Sequence, residues 1–317
     1  MTSTGSKVAA RAPGTRHPAT QAPSRGSMAA PVRQLLLAMP WTGDVVGFGS
    51  SALRLVHRIE TVSAGRFAIA CEVTDRTGIE AIACDAADLY HGTEHFHLQH
   101  HEALAYFAGL PYFCGLECHD LEAWLGFAGG QALWDEVAGG LGVKALLAGH
   151  TGRAPGLWST HRIDTLADLL TGPIYVMGLS GSVLAAIGGR QARAMPNDLR
   201  PRLEQGKIIA VEWGGARASA ALGLPQVAPV HMGFGFNTAG SALSLGIRRG
   251  LWDELGADER ALIEACASEE LKLTLAEARA AATGAIEAFP AWRDRSAYDR
   301  SAILRRWFTL IIQDEDR

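Results

Sequence analysis

The feature that most constrains this chain is an alternation. From residue 32 to 96, apolar runs that suit buried strands take turns with stretches of helical spacing. "VRQLLLAMPW" (32–41) reads as a strand ending at Pro40. "VVGFGSSALRLVHRIETVS" (45–63) sets Leu53, Val56, Ile59 and Val62 at helical intervals, and Gly65 closes the helix. "RFAIACEV" (66–73) returns as a strand, "GIEAIACDA" is a short helix, and "ADLYHGTEHF" (87–96) is a strand with a polar end. That order predicts a parallel α/β sheet. A second set follows Gly149: strand 156–163, a helical turn capped by Gly172, strand "PIYVMG", helix "SGSVLAAIGG", helix "DLRPRLEQGK" and strand "IIAVEW". Two such sets predict two similar lobes, with linkers near 149–155 and 233–241. Residues 33–150 plus 238–275 form lobe 1, and 151–237 form lobe 2. The block after Asn237 reads mostly as long helix, with Asp258 as N-cap and Pro290 as stop. Residues 276–317 are expected to be C-terminal helices packing on the lobes.

A length of 317 residues suits this plan. The 48% apolar and 20% charged content fits a globular chain, and a net charge of −4 without a basic stripe argues against a nucleic-acid partner. Only four of the 29 basic residues are Lys, a compositional bias that leaves Arg counts with little functional weight. Five cysteines at irregular spacing are no disulfide framework. Cys114 and Cys118 are spaced to pair or bind a metal, against the plainer reading of buried small apolar residues. No stretch approaches the ~18 apolar residues of a membrane span. Residues 1–32 read as a disordered arm. Its basic start has neither the apolar segment of a secretory signal nor a twin arginine, so no export signal is visible.

Three stretches carry chemistry. In "GKIIAVEWGG" (206–215) a strand end delivers Glu212 and Trp213 side by side. The carboxylate can accept hydrogen bonds or hold a cation, and the indole gives area and one donor. The alternative is a hinge-packing indole beside a surface acid. "HGTEHFHLQHH" holds five histidines, His91 to His101. His95 and His97, on one face of a strand, are suited to meet one metal, with Glu94, Glu102, Cys118 or His119 beside them. The other reading leaves them satisfied or exposed histidines. In "GLSGS" (178–182) the backbone N–H groups of Ser180–Ser182 can receive an anion at a helix start. Ser182 breaks the G-x-S-x-G hydrolase pattern. With no nucleophile–base pair, cofactor loop or carboxylate dyad, no enzyme is expected.

The string "DLRPRLEQGKIIAVEWGGARASAALGLPQVA" resembles the solute-binding receptors of tripartite ATP-independent periplasmic (TRAP) transporters, through Gln205, Gly206, Glu212, Trp213, Gly223 and Leu224. "TVSAGRFAIAC", the stretch 103–152 and "GIRRGLWDELGADERALIEAC" are similar to further family segments, so the likeness runs roughly from Leu35 to Phe289. It implies an α/β, two-lobed, periplasmic-binding-protein-like fold with crossover strands and a long spanning helix. It also implies capture of a small organic acid by hinge closure and docking on separate membrane subunits. No cofactor is implied, although a cation bridging Glu212 and the ligand is. The location implied is the periplasm, with a cytoplasmic sensor or scaffold as the alternative, and a metal protein built on His91–His101 as a lesser one.

Two family features are absent. Where the family has the arginine of its "G-L-K-x-R" strand, Tyr175 or Val176 stands, and where it has a glutamine, Ala154 stands. The neighbouring Arg153 is the expected substitute cation, against an exposed loop arginine. The resemblance further implies that His95 and His97 are neutral donors on the cleft wall, that Phe234 and Phe236 wall the cleft, that Asn237 donates to ligand oxygens, and that Trp158 lines the wall.

Overall fold

The computed structural model describes residues 31–110, 116–233, 235–236 and 240–293. Most of the expected arm, Cys114, and everything after Arg293 lie outside the described residues. The described residues from Val32 to Arg293 form one compact unit.

Among the described residues ten strands build two five-stranded sheets. In chain order they are β1 (Arg33–Met39), β2 (Phe67–Val73), β3 (Leu89–Gly92), β4 (Val143–His150), β5 (Leu157–Ser159), β6 (Pro173–Tyr175), β7 (Arg190–Gln191), β8 (Ala210–Val211), β9 (Val230–Met232) and β10 (Ala242–Arg248). The first sheet has the order β2-β1-β3-β10-β4 and the second β7-β6-β8-β5-β9. The parallel expectation holds where β1 pairs with β2 and β3, and where β6 pairs with β7 and β8. It fails at β10, antiparallel to β3 and β4, and at β5, antiparallel to β8 and β9. The cause is connectivity. The chain passes from β4 in the first sheet to β5 in the second, and returns from β9 to β10, so each sheet takes in a strand arriving from the other half.

The expectation of helix directly after residue 240 is corrected by β10. Its residues are buried on both faces up to Arg248, so no alternation marks it as a strand. Gly246 is needed there because the Tyr90 ring lies 1.9 Å from where a Cβ would stand. The stripe of the helix Gly49–Val62 is also rotated from expectation. Ala52, Leu55, Val56 and Ile59 are buried at i, i+3, i+4 and i+7, whereas Leu53 and Val62 are 42% and 59% exposed. Small Ala52 and Ser51 bring that face close to its neighbours.

The final helix, Ala257–Arg293, runs past Pro290 for 37 residues, about 55 Å. Asp258 is not its N-cap: Glu259 accepts the Gly256 N–H at 3.0 Å, and Asp258 pairs with Arg66 at 2.7 Å. The helix packs on β4, on Gly49–Val62 and on the helix Ala216–Ala221, and so spans both halves. Arg54 binds its fully buried Glu270 and also Glu277, which Arg217 meets from the second half.

Between the halves runs an aromatic row. Trp41 packs on Phe48 (4.9 Å), Phe48 on Trp213 (4.6 Å), and Trp213 on Tyr175 (6.0 Å between ring centres). Trp213 is fully buried. Burying one indole removes roughly 200 Å² of surface, worth on the order of 5 kcal/mol as an upper bound. Of this row Tyr175 lines the cavity described below, and the other three rings lie behind it.

Candidate functional site: a cavity between the halves

A cavity of about 630 Å³ opens between the carboxyl ends of β1, β2 and β3 on one side and the stretch from β6 to the helix Leu199–Glu204 on the other. This is where open α/β sheets bind ligands, outside the carboxyl ends of their strands.

The first-half wall is a histidine wall, but not the predicted one. β3 stops at Gly92, and Glu94–Phe96 form a 3₁₀ turn, so His95 and His97 do not share a strand face. The turn is pinned by Glu94, fully buried, which accepts from the Tyr90 hydroxyl at 2.9 Å and holds His97 Nδ1 at 2.8 Å. Burial pushes the Glu94 carboxyl up, but His97, with hydrogen bonds from Ser244 and Tyr90, holds it below the usual carboxylate range. His91, His95 and His97 all line the cavity. Burial depresses His91 to about 3 and His95 to about 4, the latter against the pull of Glu94, so both are neutral at pH 7. Both ring nitrogens of His91 and the Nδ1 of His95 are buried without a hydrogen-bond partner. Unsatisfied buried polar atoms are costly, and these three lie just beneath the cavity surface rather than open to it. His95 reaches across the gap: its Nδ1 lies 2.1 Å from where a Cβ on Gly178 would stand, and Gly178 has φ +58°.

His100 lies near Thr77 Oγ1 at 3.4 Å, and His101 caps the Ala103 N–H. Among the described residues no three His, Cys, Asp or Glu side chains converge to hold a metal ion. The histidine run is therefore dispersed rather than gathered. Cys118 is buried, and burial pushes its thiol up to about 12, which fits the plainer reading.

On the second-half wall, Tyr175 ends β6 and lines the cavity; burial raises its phenol, so it remains a donor. Ser180 is buried with an unpartnered Oγ, but Ser182 is the serine on the cavity wall. The expected anion position at residues 180–182 is altered, because the Gly181 N–H already binds the Gly178 carbonyl and the Gln191 amide lies against Gly181.

Glu212 and Trp213 do not line the cavity. Glu212 Oε2 accepts the Phe236 N–H at 2.6 Å and lies close over Gly235, so the carboxylate orders the returning chain. Trp213 supports the wall from behind, through Tyr175. Its Nε1 is buried without a partner. Arg153 is about half exposed, pairs with Glu117, and does not line the cavity either. Trp158 packs on His231 (4.4 Å), away from the cavity, and Phe236 belongs to the core of the second half. Phe234 and Asn237 lie outside the described residues.

Sequence reasoning missed Arg76, Arg193 and Arg202, all on the cavity wall. The arginine-rich composition hid them; the register of β6 with β7 is the signal that finds Arg193.

No family model matches the chain. A monocarboxylate 2-oxoacid-binding periplasmic protein of Nostoc sp. is 27% identical over 153 residues, 48% of this chain and 42% of that one. A 40-residue stretch is 55% identical to the mitochondrial succinate-semialdehyde dehydrogenase of Homo sapiens, 13% of this chain and 8% of that enzyme. The matched regions thus span less than half the length of either relative. Among solved structures, a TRAP transporter solute-binding protein of Bordetella bronchiseptica, with calcium and picolinate, superposes with a TM-score of 0.75 at 24% identity, covering 81% of this chain and 79% of that one. One of Pseudoalteromonas atlantica, with sodium and pyruvate, gives 0.74 at 20% identity, covering 82% and 80%. The chain has the two-lobed α/β fold of these binding proteins.

Proposed function

We propose that this chain is a solute-binding receptor of a TRAP transport system that captures a small organic acid between its halves for delivery to membrane subunits. The observation that supports this best is the cavity itself, which both halves line, with His91, His95 and His97 on one wall and Tyr175, Arg193 and Arg202 on the other. The receptor class of the similar structures and the acids bound to them point the same way. Among the described residues no helix is long and apolar enough to cross a membrane, so the receptor would act on separate membrane subunits, and the periplasm is where such receptors work. Glu212 accepts the Phe236 N–H, and among the described residues no three His, Cys, Asp or Glu side chains gather around a cation. The reading does not depend on a bridging cation.

A ligand that binds only the folded form raises the melting temperature by mass action. Scanning fluorimetry against mono- and dicarboxylic acids, keto acids, sulfonates and aromatic acids, with and without calcium, should give at least one shift of several degrees. A panel without any shift counts against the receptor reading.

A further inference from the structure

Resting on that reading, we propose that Arg193, backed by Arg202, is the cation that receives the carboxylate of the bound solute. β6 and β7 run parallel, with Pro173 beside Arg190 and Ile174 beside Gln191. The Ala192 N–H continues the ladder to the Ile174 carbonyl at 2.8 Å. Carried on, the same register sets Arg193 beside Val176, the buried apolar residue just after β6 at the cavity wall. The guanidinium thus comes from the neighbouring strand end, not from β6.

The local hydrogen bonds fix this arrangement. Gln191 Nε2 donates to the Val176 carbonyl at 2.8 Å, which ties the two strand ends together. Arg202 Nη1 donates to the Arg193 carbonyl at 3.0 Å, which anchors the Arg193 backbone and brings a second guanidinium to the same rim. Asp75 and Asp198 also line the cavity, yet among the described residues neither pairs with Arg193 or Arg202. Two like charges on one rim repel, and an anion between them relieves that repulsion. The planar fork of arginine matches both oxygens of a carboxylate. On the opposite wall stand Asp75 and Arg76, the latter turned to Cys84 Sγ at 3.2 Å, and the neutral His91 and His95. The second-half rim, where two guanidiniums sit, is therefore the end of the cavity suited to an organic carboxylate.

The test is titration calorimetry on the full chain with pyruvate, picolinate and D-glucuronate, each beside its uncharged amide. An acid that binds the parent should bind Arg193→Gln roughly tenfold to a hundredfold more weakly. Arg193→Lys should recover part of that loss, and Arg153→Gln should bind like the parent. The amides should bind the parent weakly and Arg193→Gln no more weakly still, since the carboxylate–arginine coupling is already gone. Arg193→Lys, which keeps charge without the fork, is read in the same way if the glutamine variant does not fold. Equal affinity of parent and Arg193→Gln for the acid overturns the assignment and leaves the receptor reading intact. Absence of heat from all three acids with the parent overturns both.

Discussion

His91 and His95 are the residues whose chemistry is set most strongly by their surroundings. Burial holds them neutral, at about 3 and about 4. In the unfolded chain a histidine takes up its proton near 6.5. Between these values the unfolded state binds more protons, so stability is complete above about pH 6.5 and declines as pH falls toward 4. Glu94, held low by His97, acts in the same direction at still lower pH. Urea unfolding at pH 7.5, 6.0 and 5.0 should show a falling midpoint, and His95→Asn should flatten the fall; a midpoint independent of pH would contradict buried neutral imidazoles. Through the family resemblance, the sequence made His95 and His97 legible as cleft-wall residues, and both line the cavity. It could not show that Glu94 would curl the segment into a turn, since that depends on Tyr90, four residues back and one pleat away. Arg193 was illegible for another reason: its position is defined by pairing with a strand 17 residues earlier, and pairing leaves no mark in composition.

At the scale of elements, β10 shows where sequence and fold part company. Strand residues buried on both faces lose the alternation that identifies a strand, and Ala242, Leu243 and Leu245 suit a helix as well. What holds this stretch in the sheet is non-local, including the Tyr90 ring over Gly246 and the hydrogen bond from Tyr90 to Glu94. Gly246→Ala should therefore cost about 1–3 kcal/mol, because the methyl meets a ring that cannot easily move. Gly126→Ala, in the helix Cys118–Phe127 with open space around it, should be neutral or stabilising by about 0.5–1 kcal/mol. Comparison of the two by chemical denaturation checks the claim; equal effects would mean that Tyr90 yields. By contrast, β1, β2 and the helix between them were legible, because their apolar runs and the glycine after the helix are local signals.

For the whole molecule, the two-half plan was legible from the repeated strand–helix order and the long spanning helix from its residues and the family resemblance, but the ends of that helix and the groups that anchor it were not. Its anchoring groups are unequal. Glu270 is fully buried and bound by Arg54 and by Ser51 at 2.7 Å, whereas Glu277 is part-exposed and shared by Arg54 and Arg217. Removing the acid of a buried pair strands its partner, while exposed pairs contribute little. Glu270→Gln should destabilise by about 2–3 kcal/mol and Glu277→Gln by about 1 kcal/mol or less, read from urea midpoints at constant slope. The reverse order would show that the helix is held mainly through the second half.

One contact described above limits how the two halves can approach each other. Where His95 meets Gly178 there is no clearance left for even a methyl group, so the imidazole against the backbone is an end-stop. Any further narrowing of the cavity of about 630 Å³ would have to come from walls other than this one.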